Sequence, residues 1–173
     1  SEIHDYAVTD KHVVFLVYPL AYLGEERMKA GGLHWGWDST KDTWLGVMRR
    51  GGDGKDIQWV KGPQTMCTHV MGAWSDGNTV YVDMDGGDAN QFPFFPSLHE
   101  PWDPVKGTGY VRRFTVDVAH DDAFASETLF PEIQGVLSRQ DDRFHTLPYR
   151  YGFLQVTGPN GGWAVLDLEE RTS

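Results

Sequence analysis

Short apolar runs, broken by turns that carry glycine, proline, aspartate or asparagine, recur along the whole chain. Val13–Tyr18 is apolar and rich in β-branched residues, the pattern of a partly buried strand. Trp44–Arg49 and Ile57–Val60 flank RGGDGKD, and Cys67–Trp74 and Thr79–Met84 flank SDGN. Both interruptions hold the Gly, Asp or Asn that a tight hairpin needs where the backbone turns left-handed. Tyr110–Val118 alternates, with a break at Arg112, and Tyr149–Val156 and Trp163–Leu168 add two strands. Phe130–Leu137 is a weaker strand candidate. Leu23–Ala30 alone reads as a helix, of two turns. Hairpin after hairpin without helices predicts an all-β architecture: sandwich, barrel or propeller. Strand spacing does not choose among the three. The 24 residues GGDANQFPFFPSLHEPWDPVKGTG are too long for a plain connection and predict a functional loop.

Composition narrows the partners. The 173 residues are 40% hydrophobic and 23% charged, as in an ordinary globular domain, with a net charge of −10. An acidic surface without a basic run repels phosphate, so neither nucleic acid nor anionic lipid is expected to bind. No apolar run approaches the ~20 residues of a membrane span. The single cysteine, Cys67, forms no disulfide within the chain; it reads as a small buried hydrophobe and favours a reducing, cytoplasmic setting. The chain does not begin with Met and starts close to a strand, so a piece of a longer polypeptide is expected.

Seven histidines are present, none paired at the short spacing of a zinc motif. There is no HExxH, no GxSxG elbow and no phosphate-binding glycine loop. His69 lies within an apolar strand, MCTHVMGAW, where a buried imidazole needs partners. A hydrogen-bonded core histidine is the plain reading of that pattern. His4 precedes the first strand, where a turn or capping role is the plain reading. His12, His34, His99, His120 and His145 lie among polar, Gly or Pro neighbours and read as surface or loop residues.

Taken together the segments become familiar. IHDYAVTDKHVVF, CTHVMGAWSDGNTVYVDM, WDSTKDTWLGVMRRGG and GVLSRQDDRFHTLPYRYGF, in this order, resemble successive motifs of the carotenoid cleavage oxygenase family, in the style of its lignostilbene dioxygenases. The resemblance runs over nearly the whole chain, and the separation of His4 from His69 fits it. It implies the central blades of a seven-bladed β-propeller with a loop dome over the top face. Residues 1–173 would then be a partial propeller, with the N- and C-terminal blades outside this chain and residues 85–109 forming the dome loop. It implies Fe(II) held by four histidines, of which His4 and His69 are two. The implied reaction is cleavage by O2 of a conjugated C=C bond in a stilbenoid or apocarotenoid, giving two aldehydes. A catalytically silent propeller that binds a ligand or protein is the alternative. No catalytic residue beyond the metal ligands is implied.

Further roles follow from the same likeness. Phe92 and Met66 match substrate-cavity residues, and an aromatic wall suits a flat, conjugated substrate. Phe94 and Phe95 read as core plugs. The family often orients its ligand histidines with glutamates, yet Val136 stands where one would fall; either Glu132 replaces it from a shifted backbone, or that ligand is held by water or by a backbone carbonyl. Gly72 and Ser75 also depart from the usual Asn and Glu after the second histidine. The expected partners are a small hydrophobic aromatic or polyene substrate, O2 and the remaining blades of the same propeller; the resemblance also allows a homodimer.

Overall fold

The computed structural model describes residues 3–120, 123–158 and 161–173. Its elements are almost all strands, paired antiparallel in three main sheets. The first sheet runs in the order β1 (Tyr6–Val8), β2 (His12–Val17), β5 (Thr43–Arg49), β6 (Gln58–Gly62). A small hairpin of β3 (Leu20–Tyr22) and β4 (Trp35–Trp37) is inserted between β2 and β5. The second sheet is β7 (Met66–Asp76), β8 (Thr79–Gly87), β9 (Tyr110–Asp117), β10 (Ala125–Thr128). The third is β11 (Gly135–Gln140), β12 (Tyr151–Val156), β13 (Gly162–Asp167). Each main sheet begins on its first strand and steps outward, and β7 packs against both β1 and β11. That is the arrangement of successive propeller blades, with β1, β7 and β11 innermost.

The alternation of β8 explains the packing. A strand sends successive side chains to opposite faces. Val80, Val82 and Met84 join a core with Val14, Leu16, Leu45 and Val60 of the first sheet. The other face of the second sheet meets the third sheet around Met71, Val111, Tyr149, Leu154 and Leu166. Asp83 and Asp85, on the alternate positions of β8, reach across to this third-sheet side. Asp83 accepts the Tyr149 hydroxyl at 2.7 Å, and Asp85 accepts the Ser138 N–H at 2.7 Å.

The hairpins at RGGDGKD and SDGN form as the turn residues require, with Gly51 at φ 71° and Gly77 at φ 58°. Several expectations are corrected. β1, β3 and β4 have three residues each, too short for a periodic signal. β10 reads ASET, a polar edge strand that an apolar pattern misses. The strand expected from Phe130 begins only at Gly135, because Phe130 is a buried plug in the preceding turn. The helix is Glu25–Lys29, since Gly24 provides no side-chain cap and Gly31 turns left-handed. His12 is no surface residue: it opens β2, buried, with its N–H on Thr9 Oγ1 at 2.8 Å and its ring 3.4 Å from the Ser75 hydroxyl.

Candidate metal centre

Asp5 brings His4 to His69. Its Oδ1 accepts the Tyr6 N–H at 2.8 Å, and its Oδ2 accepts the Val70 N–H at 2.9 Å. The second bond ties the residue after His4 to the residue after His69. The two rings consequently meet edge to face, their centroids 5.3 Å apart and their planes at 86°. On the open side of the same junction, β1, β7 and β11 enclose a cleft of about 240 Å³, lined by Asp5, Val70, Arg139, Gln140, Asp142 and His145 among others.

His69 is aimed by a bulge. Cys67 pairs with Gly86 and His69 with Asp85, so Thr68 is an extra residue on β7. Such an insertion bends the strand and re-aims the side chain beside it. His69 and Asp85 thus stand opposite each other, with Nδ1 3.2 Å from Asp85 Oδ1 and 3.0 Å from Thr68 Oγ1. The hydrogen bond to Asp85 raises the His69 pKa, against the opposing pull of burial. In the neutral ring, a proton given by Nδ1 to Asp85 leaves the lone pair on Nε2. Nε2 has no hydrogen-bond partner among the described residues. The His4 ring is exposed and likewise makes no hydrogen bond among them.

The other end of Asp85 is held from the third sheet. Oδ2 accepts the Ser138 N–H at a β-bulge between Val136 and Arg139. Leu137, inside that bulge, has φ 55°. A left-handed conformation costs an L-residue about 1–2 kcal/mol, so the surrounding contacts must hold it there.

These residues suit a metal with nitrogen ligands. An ion shared by two imidazoles at a metal–nitrogen distance of about 2.1 Å holds their ring centroids at most about 6.5 Å apart. The observed 5.3 Å lies within that reach. Neutral imidazole suits iron, among other first-row metals. No cluster of three or more His, Cys, Asp or Glu placed to hold a metal occurs among the described residues, so any further ligands come from elsewhere.

The remaining candidates are scattered differently. Phe92 is half-buried in the segment between β8 and β9, stacked on Phe94 at 5.1 Å and set against Phe95 at 5.9 Å. Asn90 braces that segment, accepting the Phe92 N–H and donating to the Phe95 carbonyl. Phe94 is no core plug: it is 57% exposed. Met66 is 0% exposed, so it stands behind any cavity wall rather than in it. Its Sδ accepts the Gln91 N–H at 3.5 Å, supporting the loop from below. Glu132 is exposed on the turn before β11 and bonds to neither ring; the carboxylate at His69 is Asp85. Sequence reading missed Asp85, and its only signal was the pair of Asp residues alternating with Val and Met along VDMD.

Comparison with known proteins shows the family and the fold. The family model described as RPE65, retinal pigment epithelial membrane protein, matches residues 1–173. Lignostilbene-alpha,beta-dioxygenase isozyme III of Sphingomonas paucimobilis is 37% identical over 161 residues, 90% of this chain and 33% of that protein. Resveratrol cleavage oxygenase 1 of Aspergillus fumigatus is 33% identical over 165 residues, 92% of this chain and 33% of that protein. The crystal structure of Pseudomonas brassicacearum lignostilbene dioxygenase superposes with a TM-score of 0.87 at 29% identity, covering 99% of this chain and 39% of that one. The Synechocystis apocarotenoid oxygenase gives 0.77 at 19% identity, covering 99% of this chain and 37% of that one, a likeness of fold. The chain spans about a third of the length of the curated relatives it matches. With its blades, its paired histidines and a family match along its full length, this chain belongs to the RPE65/carotenoid cleavage oxygenase family.

Proposed function

We propose that this chain carries half of a four-histidine Fe(II) site in an oxygenase. The enzyme cleaves a conjugated C=C bond of a stilbenoid or an apocarotenoid into two aldehydes with O2. One observation carries the reading: His4 and His69, 65 residues apart, bring their rings to 5.3 Å while the Nε2 of His69 has no partner among the described residues. The names of the relatives support the reaction class: lignostilbene dioxygenase, resveratrol cleavage oxygenase and isoeugenol monooxygenase.

Iron, when bound, supplies the centre that activates O2. The chain's own residues hold, orient and enclose. His4 and His69 are the two ligands from this part of the ring. The dome is expected from residues 85–109, but 85–87 complete β8, so residues 88–109 form part of the dome, where Phe92 offers a flat apolar face to an aromatic ring. An apolar enclosure keeps water from the reacting bond. The rest of the ring comes from polypeptide outside residues 1–173. Its docking surfaces are the exposed Tyr151, Phe153, Trp163 and Val165 on the third sheet and Trp44 and Trp59 on the first. No helix among the described residues is long and apolar enough to cross a membrane. A cytoplasmic enzyme, single or as a homodimer, fits the one reduced cysteine.

The test uses the protein with its complete ring. Hydroxystilbenes and apocarotenals are offered in parallel, absorbance loss is followed, and bound iron is measured. Turnover of one class with one iron per ring is expected, and His69→Ala is expected to lose both. Full iron in His69→Ala removes this residue from the site; no iron in the unaltered protein leaves a silent, ligand-binding propeller.

A further inference from the structure

Asp85 and Asp83 share one face of β8 and are both 0% exposed, yet their surroundings differ. Asp83 is matched by the Arg113 guanidinium through two bonds, at 2.8 and 2.9 Å, and by Tyr149. Asp85 has no arginine or lysine paired with it among the described residues. Its contacts are the Thr68 hydroxyl, His69 Nδ1 and the Ser138 N–H. A buried carboxylate is costly unless charge or hydrogen bonds match it. The ionisable group bonded to Asp85 is His69 itself.

We propose that Asp85 is the positioning residue of this half-site: it fixes the His69 tautomer and ring plane so that Nε2 faces the metal. The inference rests on His69 being a ligand. A carboxylate on the far nitrogen is the general device by which a metal-binding imidazole is oriented and made more basic. Here that carboxylate comes from the partner strand of the same hairpin. Val136, in the third sheet, has no side-chain acceptor to offer. The third sheet contributes instead the Ser138 N–H, which clamps Oδ2 and leaves Oδ1 for the ring. The left-handed Leu137 sits at the bulge that presents this N–H. The ring orientation therefore depends on two blades at once.

Asp85→Asn tests the assignment. The His69 and Ser138 contacts lie on different carboxylate oxygens and each uses an acceptor, whereas an amide has one acceptor oxygen. With that oxygen on Ser138 the amide NH2 faces Nδ1 and favours the tautomer protonated on Nε2, and with it on His69 the Ser138 bond is lost, while shape and volume stay nearly constant. In the full-ring protein, with ferrous iron and a competing chelator, Asp85→Asn is expected to release iron roughly 10–100-fold faster. Nitrogen-15 spectra of the metal-free, unsubstituted protein read the tautomer directly and should show His69 protonated on Nδ1 and bare on Nε2. A proton on Nε2 instead overturns the proposal whatever the iron does. Unchanged iron release in Asp85→Asn, with iron lost in His69→Ala, overturns the positioning role alone. Iron retained in His69→Ala overturns the ligand assignment and the positioning role with it.

Discussion

Arg113 offers the sharpest measure of what holds the buried Asp83 on the face of the second sheet that meets the third. Its guanidinium gives Nε to Asp83 Oδ1 at 2.8 Å and Nη2 to Oδ2 at 2.9 Å, while it lies 4.7 Å over the Trp74 ring. Burial pulls the Arg113 pKa down, but the bonds and charge of Asp83 outweigh it, so the group stays charged. Arg113→Met keeps most of the aliphatic stem and removes the charge. Asp83, at 0% exposure, is then left with the Tyr149 hydroxyl at 2.7 Å. Stranding one member of a buried ion pair costs about 3–5 kcal/mol. The lower end applies, because the Arg113 side chain keeps 18% exposure and the Tyr149 bond remains. Loss of the Trp74 contact adds about 0.5–1 kcal/mol. A destabilisation of about 3–4 kcal/mol is therefore expected, read by denaturant unfolding of the full-ring protein with tryptophan emission as the signal. Adding Asp83→Asn to Arg113→Met should recover about 1 kcal/mol or more, since the stranded charge is gone. A loss below about 1 kcal/mol in Arg113→Met, or no recovery in the double variant, would refute the assignment of this pair as a buried lock.

Other outcomes follow from the same contacts. In Gly86→Ala, the new Cβ would lie 2.1 Å from Cys67 Sγ and 2.4 Å from the Met66 carbonyl; about 1–3 kcal/mol of stability is lost, and Cys67→Ala relieves only part because the carbonyl remains, as a double-mutant cycle would show. The Thr40 hydroxyl, followed by the Thr40 N–H, Lys41 and His99, holds the Asp38 carboxyl down at about 2, below its ordinary 3.8. Its share of stability is thus present above 3.8 and lost as pH falls through about 2; an NMR titration midpoint near 3.8 would contradict this. Phe92→Ala should raise KM for an aromatic substrate roughly tenfold at constant iron content, the loss of one stacked ring; unchanged KM would take Phe92 out of the cavity wall.

How much of this could be read from the sequence depended on whether the cause was local. β8 alternates after the tight turn at Gly77, and β9 alternates apart from the break at Arg112, so both were legible. β10 was not, because an edge strand such as ASET shows water on one side and leaves no apolar period. His69 stood out as a polar residue in an apolar run, and His4 gained meaning only beside the family motifs. The link between them through Asp5 was invisible, since it joins a side chain to a backbone N–H 65 residues away. The bulges at Thr68 and Leu137 were invisible for a related reason. A bulge shifts pairing register by one residue without altering composition, and it decides which side chain faces which. Asp85 was passed over because it looks like the polar half of an ordinary alternation; only the third sheet, packed over that face, turns it into a buried carboxylate.

The β7–β8 hairpin has a bearing on the order of assembly. His69 and its carboxylate come from strands joined by a tight turn, sixteen positions apart, so neither must wait for distant chain to arrive. Short loops close early and at small entropic cost, while the encounter with His4 spans a far longer loop. One imidazole thus meets its carboxylate while the ring of blades is still open; the third blade then fixes that carboxylate through the Ser138 N–H, and the first blade docks Asp5 onto the edge at Val70 to deliver the other.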